Sequence, residues 1–209
     1  MLWIALAAAA AQLSAPVPVN YKKWFFQDDV LGLPRGTWSI GVRMIVRPDG
    51  TFKECQIEKQ REPHVAVYTC QLLSRRAKYL AAHWIDGSAA YGIDRLPVVW
   101  VIGDDAEHTP LPPDLDVYVN RLPSGVGYSV YVPVVIAVDA RGTIERCAAD
   151  QRDDLLSTTV KGHVSLDPEL VVAACQQITA TFKAFPLTDD SGKAVRSVQN
   201  ALVRFKVRH

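Results

Sequence analysis

The sequence predicts an α+β fold of two tandem small domains, each a three-stranded antiparallel sheet covered by a helix (β-β-α-β). Three observations carry this. Residues 38–55 and 130–147 match at a constant offset of 92. Downstream the offset becomes 105 and stays there. Within each copy the apolar pattern runs from period 2 to helical spacing and back to period 2.

The first strand of each copy rests on Ile40, Val42, Met44 and Val46, which map onto Val132, Val134, Ile136 and Val138. Pro48-Asp49-Gly50 and Ala140-Arg141-Gly142 supply the turns, with glycine where φ must be positive. In the second strand Phe52, Glu54 and Cys55 map onto Ile144, Arg146 and Cys147. Phe52 and Cys55 are three apart, as are Ile144 and Cys147. A regular strand would put such residues on opposite faces; a β-bulge returns both to the core side.

The helix follows. Ala66, Cys70, Leu73, Ala77 and Leu80 map onto Val171, Cys175, Ile178, Phe182 and Phe185, one stripe at i, i+4, i+7, i+11 and i+14. Asp167 is a good N-cap, with Pro168 at the first helical position; Pro63 serves the first helix in the same way. Gly87 maps onto Gly192, and Val98, Trp100 and Ile102 map onto Val203, Phe205 and Val207, a closing strand in each copy. The change of offset places 13 extra residues in the polar stretch around Gln151 to Ser165.

The chain has 209 residues, 49% hydrophobic and 22% charged, which excludes a disordered chain. A formal net charge of +1 argues against a phosphate-backbone binder, so no nucleic acid is expected as partner. The chain opens on an apolar run through Ala11, too short to span a bilayer and of the length of a signal-peptide core. The expected organisation is a signal peptide at 1–15, a first domain at 20–102, a Pro-rich linker at 103–114 and a second domain at 115–209. The mature chain has no membrane span and resides in the periplasm; retention of the N-terminal segment as an inner-membrane anchor is the alternative. Residues 19–36, with Trp24, Phe25 and Phe26, are expected to pack across the first domain.

Four cysteines form two equivalent pairs, Cys55 with Cys70 and Cys147 with Cys175. Four cysteines allow three connectivities, and only pairing within each copy treats both alike. Disulfides are the expectation for an exported chain; four reduced, buried thiols are the alternative. The absence of a CxxC motif argues against zinc and redox catalysis. None of His64, His83, His108, His163 and His209 stands at ligand spacing, so no metal or cofactor is expected. Asp153-Asp154 and Asp189-Asp190 lie in loops, the latter as a turn before the last strand. Ser124-Gly125-Val126-Gly127 lacks the features of a nucleophile elbow or a phosphate loop, and Arg75-Arg76-Ala77-Lys78 reads as a solvated helix face. No catalytic residue emerges; an envelope enzyme with a site around Asp153-Asp154 is the alternative.

Both copies resemble the C-terminal domain of TonB-type energy transducers. Asp28-Asp29-Val30 resembles its acidic opening, and residues Ile45 to Cys55 its first hairpin. Thr69 to Tyr79 resembles its helix in cysteine-containing bacterial members. Leu166-Asp167-Pro168-Glu169-Leu170 matches the helix start and Phe182-Lys183-Ala184-Phe185-Pro186 the helix end. The family's Ser-Ser-Gly after the second strand is absent from both copies, and no long Pro-rich spacer precedes the first. The resemblance implies an envelope protein related to TonB-type transport that binds an extended peptide by strand addition. It places the partner edge on the closing strands, at Leu96, Val98, Val99, Trp100 and Val101 and at Leu202, Val203, Arg204 and Phe205. An anchored transducer component is the alternative reading.

Overall fold

A computed structural model of the chain describes residues 13–59, 62–103, 112–123, 127–152 and 162–208. Residues 1–12 of the signal-peptide segment, His108, Pro110, Ser124 to Val126, Asp153-Asp154 and His209 lie outside the described residues. The first half contains β1 (Val17–Pro18), β2 (Gly36–Val46), β3 (Phe52–Lys59), α1 (Pro63–Arg76), β4 (Tyr79–Leu80), β5 (Ala82–His83) and β6 (Ala89–Ile102). The second contains β7 (Leu115–Val119), β8 (Ser129–Val138), β9 (Ile144–Ala149), β10 (His163–Val164), α2 (Pro168–Thr181), β11 (Leu187–Thr188), β12 (Ala194–Val195) and β13 (Ser197–Val207). The fold is mixed α+β, with the sheet dominant.

The repeat holds at the level of register. Met44 faces Cys55 and Val46 faces Phe52 across β2–β3; Ile136 faces Cys147 and Val138 faces Ile144 across β8–β9. Both pairs shift register at the same place, between Ile45 and Val46 and between Ala137 and Val138. The shift leaves Lys53 and Glu145 as the extra residues of equivalent bulges. In consequence Phe52 and Cys55 both pack on the first core, and Ile144 and Cys147 on the second.

The helices are equivalent too. Each starts with proline behind an acidic cap, Glu62 or Asp167. Each ends where an extended residue, Ala77 or Phe182, donates its N–H to Leu73 or Ile178. The apolar stripe therefore stops a turn earlier than its spacing suggests. Leu80 is exposed on β4 because the chain has turned to pair Tyr79–Leu80 with Val17–Pro18. The helix positions buried in both copies are Val65, Thr69 and Leu73, and Leu170, Ala174 and Ile178. Cys70 and Cys175 sit on the flank of this face, from which they reach the edge strands.

One core position shows how the copies diverged together. The Thr69 hydroxyl donates to the Val65 carbonyl at 2.7 Å and accepts from Trp100 Nε1 at 2.8 Å, both buried. The equivalent pair in the second half is Ala174 and Phe205, with no polar atom to satisfy. Thr69→Ala is expected to cost about 1–3 kcal/mol, because it strands the indole N–H. Adding Trp100→Phe should recover part of that loss in a double-mutant cycle followed by urea unfolding.

The two sheets are joined. β6 and β13 run parallel and pair through Tyr91–Ser197, Gly92–Val198 and Ile93–Gln199, making one nine-stranded sheet. Val46, Gly92 and Val198 thus stand side by side. Val46 lies under α1, whereas Val198 faces away from Ala201, Val203 and Phe205, which lie under α2. The helices therefore cover opposite faces of the shared sheet. A third core fills the α1 face of the second half, where Ala15, Ala82, Trp84 and Ala90 meet Val135, Ala137 and Val198. Gly92 makes room for this crossing: a Cβ there would lie 2.7 Å from Pro16 Cγ. Leu13 and Ala15 belong to this packing, so residues of the segment 1–15 form part of the described fold.

Of the segment 19–36 expected to pack across the first domain, Tyr21, Trp24, Phe25, Val30 and Leu33 pack on the first core. Trp24 is buried, Phe25 meets Trp100 edge-on at 5.1 Å, and Phe26 is exposed beneath the Arg76 guanidinium. Arg76 is not simply solvated: it holds buried Asp29 through two bonds and donates to the Trp24 carbonyl. The Arg76 hydrogen bond holds the Asp29 carboxyl below its usual range. A depressed carboxylate stabilises the fold above its unfolded pKa of about 3.9 and loses that contribution as pH falls through the folded value. Asp29→Asn should therefore lower the Tm at neutral pH and flatten the acid limb of a Tm-versus-pH curve, so that variant and wild type converge below about pH 4.

Candidate functional site

The described sheet has unpaired strand sides on β3 at one end, on β9 and β10 at the other, and between them on β6 beyond Ile93 and on β7, which pairs only with β13. The closing strands lie inside it. β13 pairs with β8 from Ser197 to Lys206 on one side. On its other side it pairs with β6 and then, from Val203 to Val207, with β7. Leu202, Val203, Arg204 and Phe205 therefore offer no free edge, which corrects their expected place as a partner site. Val203 and Phe205 are core residues, and Arg204 is held by Asp116 of β7 at 2.6 Å.

β6 is different. Beyond Ile93 its outer edge has no strand partner among the described residues. Leu96, Val98 and Trp100 are buried in the first core, while Val99 and Val101 are 37% and 46% exposed. The Arg95 N–H already donates to Asn200 Oδ1 at 2.9 Å. By ladder alternation the next outward position is Pro97, which has no N–H. Arg95 and Pro97 guard the start of this edge against an added strand, and by the same alternation Val99 and Val101 point their backbone groups outward.

β9 is not guarded in this way. The Asp150 N–H donates inward to the Pro133 carbonyl at 3.1 Å, so the outward-pointing backbone groups belong to Ala149 and Cys147. No described strand pairs with this edge. Alongside it runs a groove of about 640 Å³ between β9 and α2. Ile144, Cys147 and Cys175 form its base, and Val172, Gln176 and Thr179 its helical wall. Val172 is 57% exposed. The two walls are tied by the Cys147–Cys175 disulfide, just as Cys55–Cys70 ties β3 to α1. Both within-copy bridges are formed, and no described cysteine is free. Such bonds persist in oxidising compartments. No described helix is long and apolar enough to cross a membrane.

Two ion networks hold the halves in register beside β6 and β13. On one side Arg152 bonds Asp94 at 2.7 Å, Asp150 at 2.7 Å and the Pro16 carbonyl at 2.8 Å. Burial pushes the Asp94 carboxyl up against the pull of Arg152. On the other side Arg95 binds Glu58 and, at 3.0 Å, Asp114. Asn200 touches both, accepting from Arg95 N–H and donating to Asp94 at 3.2 Å.

The remaining sequence candidates have structural partners. Asp189 caps its own turn through the Ser191 and Lys193 amides, and Asp190 pairs with Arg47 at 2.9 Å. His64 stands in the first turn of α1, His83 bridges to Ser14, and His163 lies on β10. Among the described residues no group of three or more His, Cys, Asp or Glu side chains is placed to hold a metal. Sequence reasoning missed β7. Its signal was present as the alternation Leu115-Asp116-Val117-Tyr118-Val119, but the repeat offers it no counterpart.

Comparison of the chain with family models, curated proteins and solved structures finds no match.

Proposed function

We propose that this chain is an exported TonB C-terminal-like binding protein of the cell envelope, without enzymatic activity, that captures an extended peptide by strand addition. The observation that supports it best is the unpaired edge of β9 beside the groove walled by α2. A peptide laid there would exchange backbone hydrogen bonds with Cys147 and Ala149 and place alternate side chains against Val172 and the disulfide. This moves the partner edge from the closing strands, where the resemblance puts it, to the outer edge of the second half. The two disulfides agree with an oxidising, envelope location.

The test is retention of overlapping envelope-protein peptides on an array. Wild-type protein should retain a subset with alternating apolar residues. Ala149→Pro, which removes an outward N–H, and Val172→Asp should abolish retention with unchanged circular dichroism. Retention unaltered in both variants would refute the reading.

A further inference from the structure

The two copies within this chain supply a comparison of their own. Core positions have drifted: Met44 against Ile136, Phe52 against Ile144, Thr69 against Ala174 and Trp100 against Phe205. Three exposed positions of the groove's helical wall have kept their chemistry. Val172, Gln176 and Thr179 correspond at the offset of 105 to Val67, Gln71 and Ser74. Val67 is 50% exposed, as an apolar side chain on a helix beside an edge strand. The hydroxyls at the third position bond back to their own helices in both copies, Ser74 to Gln71 and Thr179 to Cys175. A solvated face has no packing reason to keep valine at the same spot twice. Retention of Val, Gln and a hydroxyl at i, i+4 and i+7 points to a shared contact made by that face.

The strand beside it matches as well. β3 is an outer edge of the described sheet. Cys55 is the register equivalent of Cys147, and Ile57 of Ala149, so the same backbone groups point outward. The Cys55–Cys70 bridge spans the same two elements as Cys147–Cys175.

We propose that the edge of β3 beside α1 is a second groove of the same kind, so that one chain holds two extended peptide segments at once. The proposal rests on the reading of the β9 groove. Because α1 and α2 cover opposite faces and β3 and β9 lie at opposite ends, the bound segments are held apart and cannot compete. The chain is then a bridge between two strands of its partner. Charge separates the two sites: Glu54 on β3 and Arg75 on α1 stand where the second copy has Arg146 and Ala180. An acidic residue opposite Arg146 favours the second groove, and a basic residue opposite Glu54 favours the first.

Titration calorimetry with a peptide retained on the array decides it. Two peptides per chain are expected for the wild type, one each for Val67→Asp and Val172→Asp, and none for the double variant, with thermal unfolding confirming that each is folded. One peptide per chain, lost in Val172→Asp and untouched by Val67→Asp, overturns the second groove and leaves the first intact. Absence of any retained peptide overturns the strand-addition reading itself, and this inference with it.

Discussion

Arg152→Ala is expected to destabilise the protein by about 3–5 kcal/mol, the cost of leaving a buried carboxylate without its counter-charge. Asp94 is 0% exposed, in the middle of β6, and its oxygens are met by Arg152, Tyr79 and Asn200. Tyr79 and Asn200 satisfy its lone pairs but not its charge. Arg152 itself stays charged, since Asp94 and Asp150 together outweigh the cost of its burial. It also binds the Pro16 carbonyl, so its loss loosens the N-terminal crossing above Gly92. Two controls separate charge from packing. Asp94→Asn in the Arg152→Ala background should restore part of the stability, because it removes the orphaned charge. The Arg152→Ala deficit should also shrink as pH falls toward about 4. Without Arg152 the Asp94 pKa rises further above its unfolded value, and a raised carboxyl stabilises below the unfolded pKa and loses that stabilisation as pH rises. Urea unfolding at two pH values measures both; a deficit independent of pH would assign the loss to packing alone.

Much of this architecture was legible because the repeat is regular at short range. Offsets of 92 and 105 predicted the hairpin turns, the bulges, both helix starts, the closing strands and the cysteine pairing, and each depends on residues close in sequence or on matched pairs. What was not legible depends on how the halves meet. Nothing in the alternation of Ala89 to Ile102 says that it will join Ser197 to Val207 in parallel, because a strand with two paired edges and one with a free edge show the same pattern. For the same reason Leu202 to Phe205 looked available when β7 already occupies that side. Arg152 is a clearer case. It stands in a polar stretch, and only the tertiary fold brings it to Asp94, 58 residues away in sequence. The candidate site was half legible: the resemblance implied strand addition as an expectation, but which strand sides are unpaired follows only from the pairing.

The second large effect concerns the disulfides, whose contributions should differ between the copies. Cys55 and Cys70 are 15 residues apart and Cys147 and Cys175 are 28 apart. Loop-closure entropy puts their contributions at about 3 and about 3.5 kcal/mol, so reducing both removes about 6–7 kcal/mol, a large share of the stability of a small domain. Replacing each pair with alanines and measuring urea unfolding tests the ordering. An equal or reversed ordering would mean that native-state contacts, not the unfolded chain, carry the effect. The local consequence should be sharper than the global one. β9 is held by β8 on one side only, and its other attachment to the fold is α2. Removing Cys147–Cys175 frees one wall of the groove from the other, so amide protection should fall most in β9, before β8 and β13 are affected. Peptide retention should fall with it, because strand addition needs an edge that is already extended and fixed; an edge that must be ordered on binding charges that entropy against affinity. The Cys55–Cys70 variant should weaken β3 in the same way and leave β9 protected.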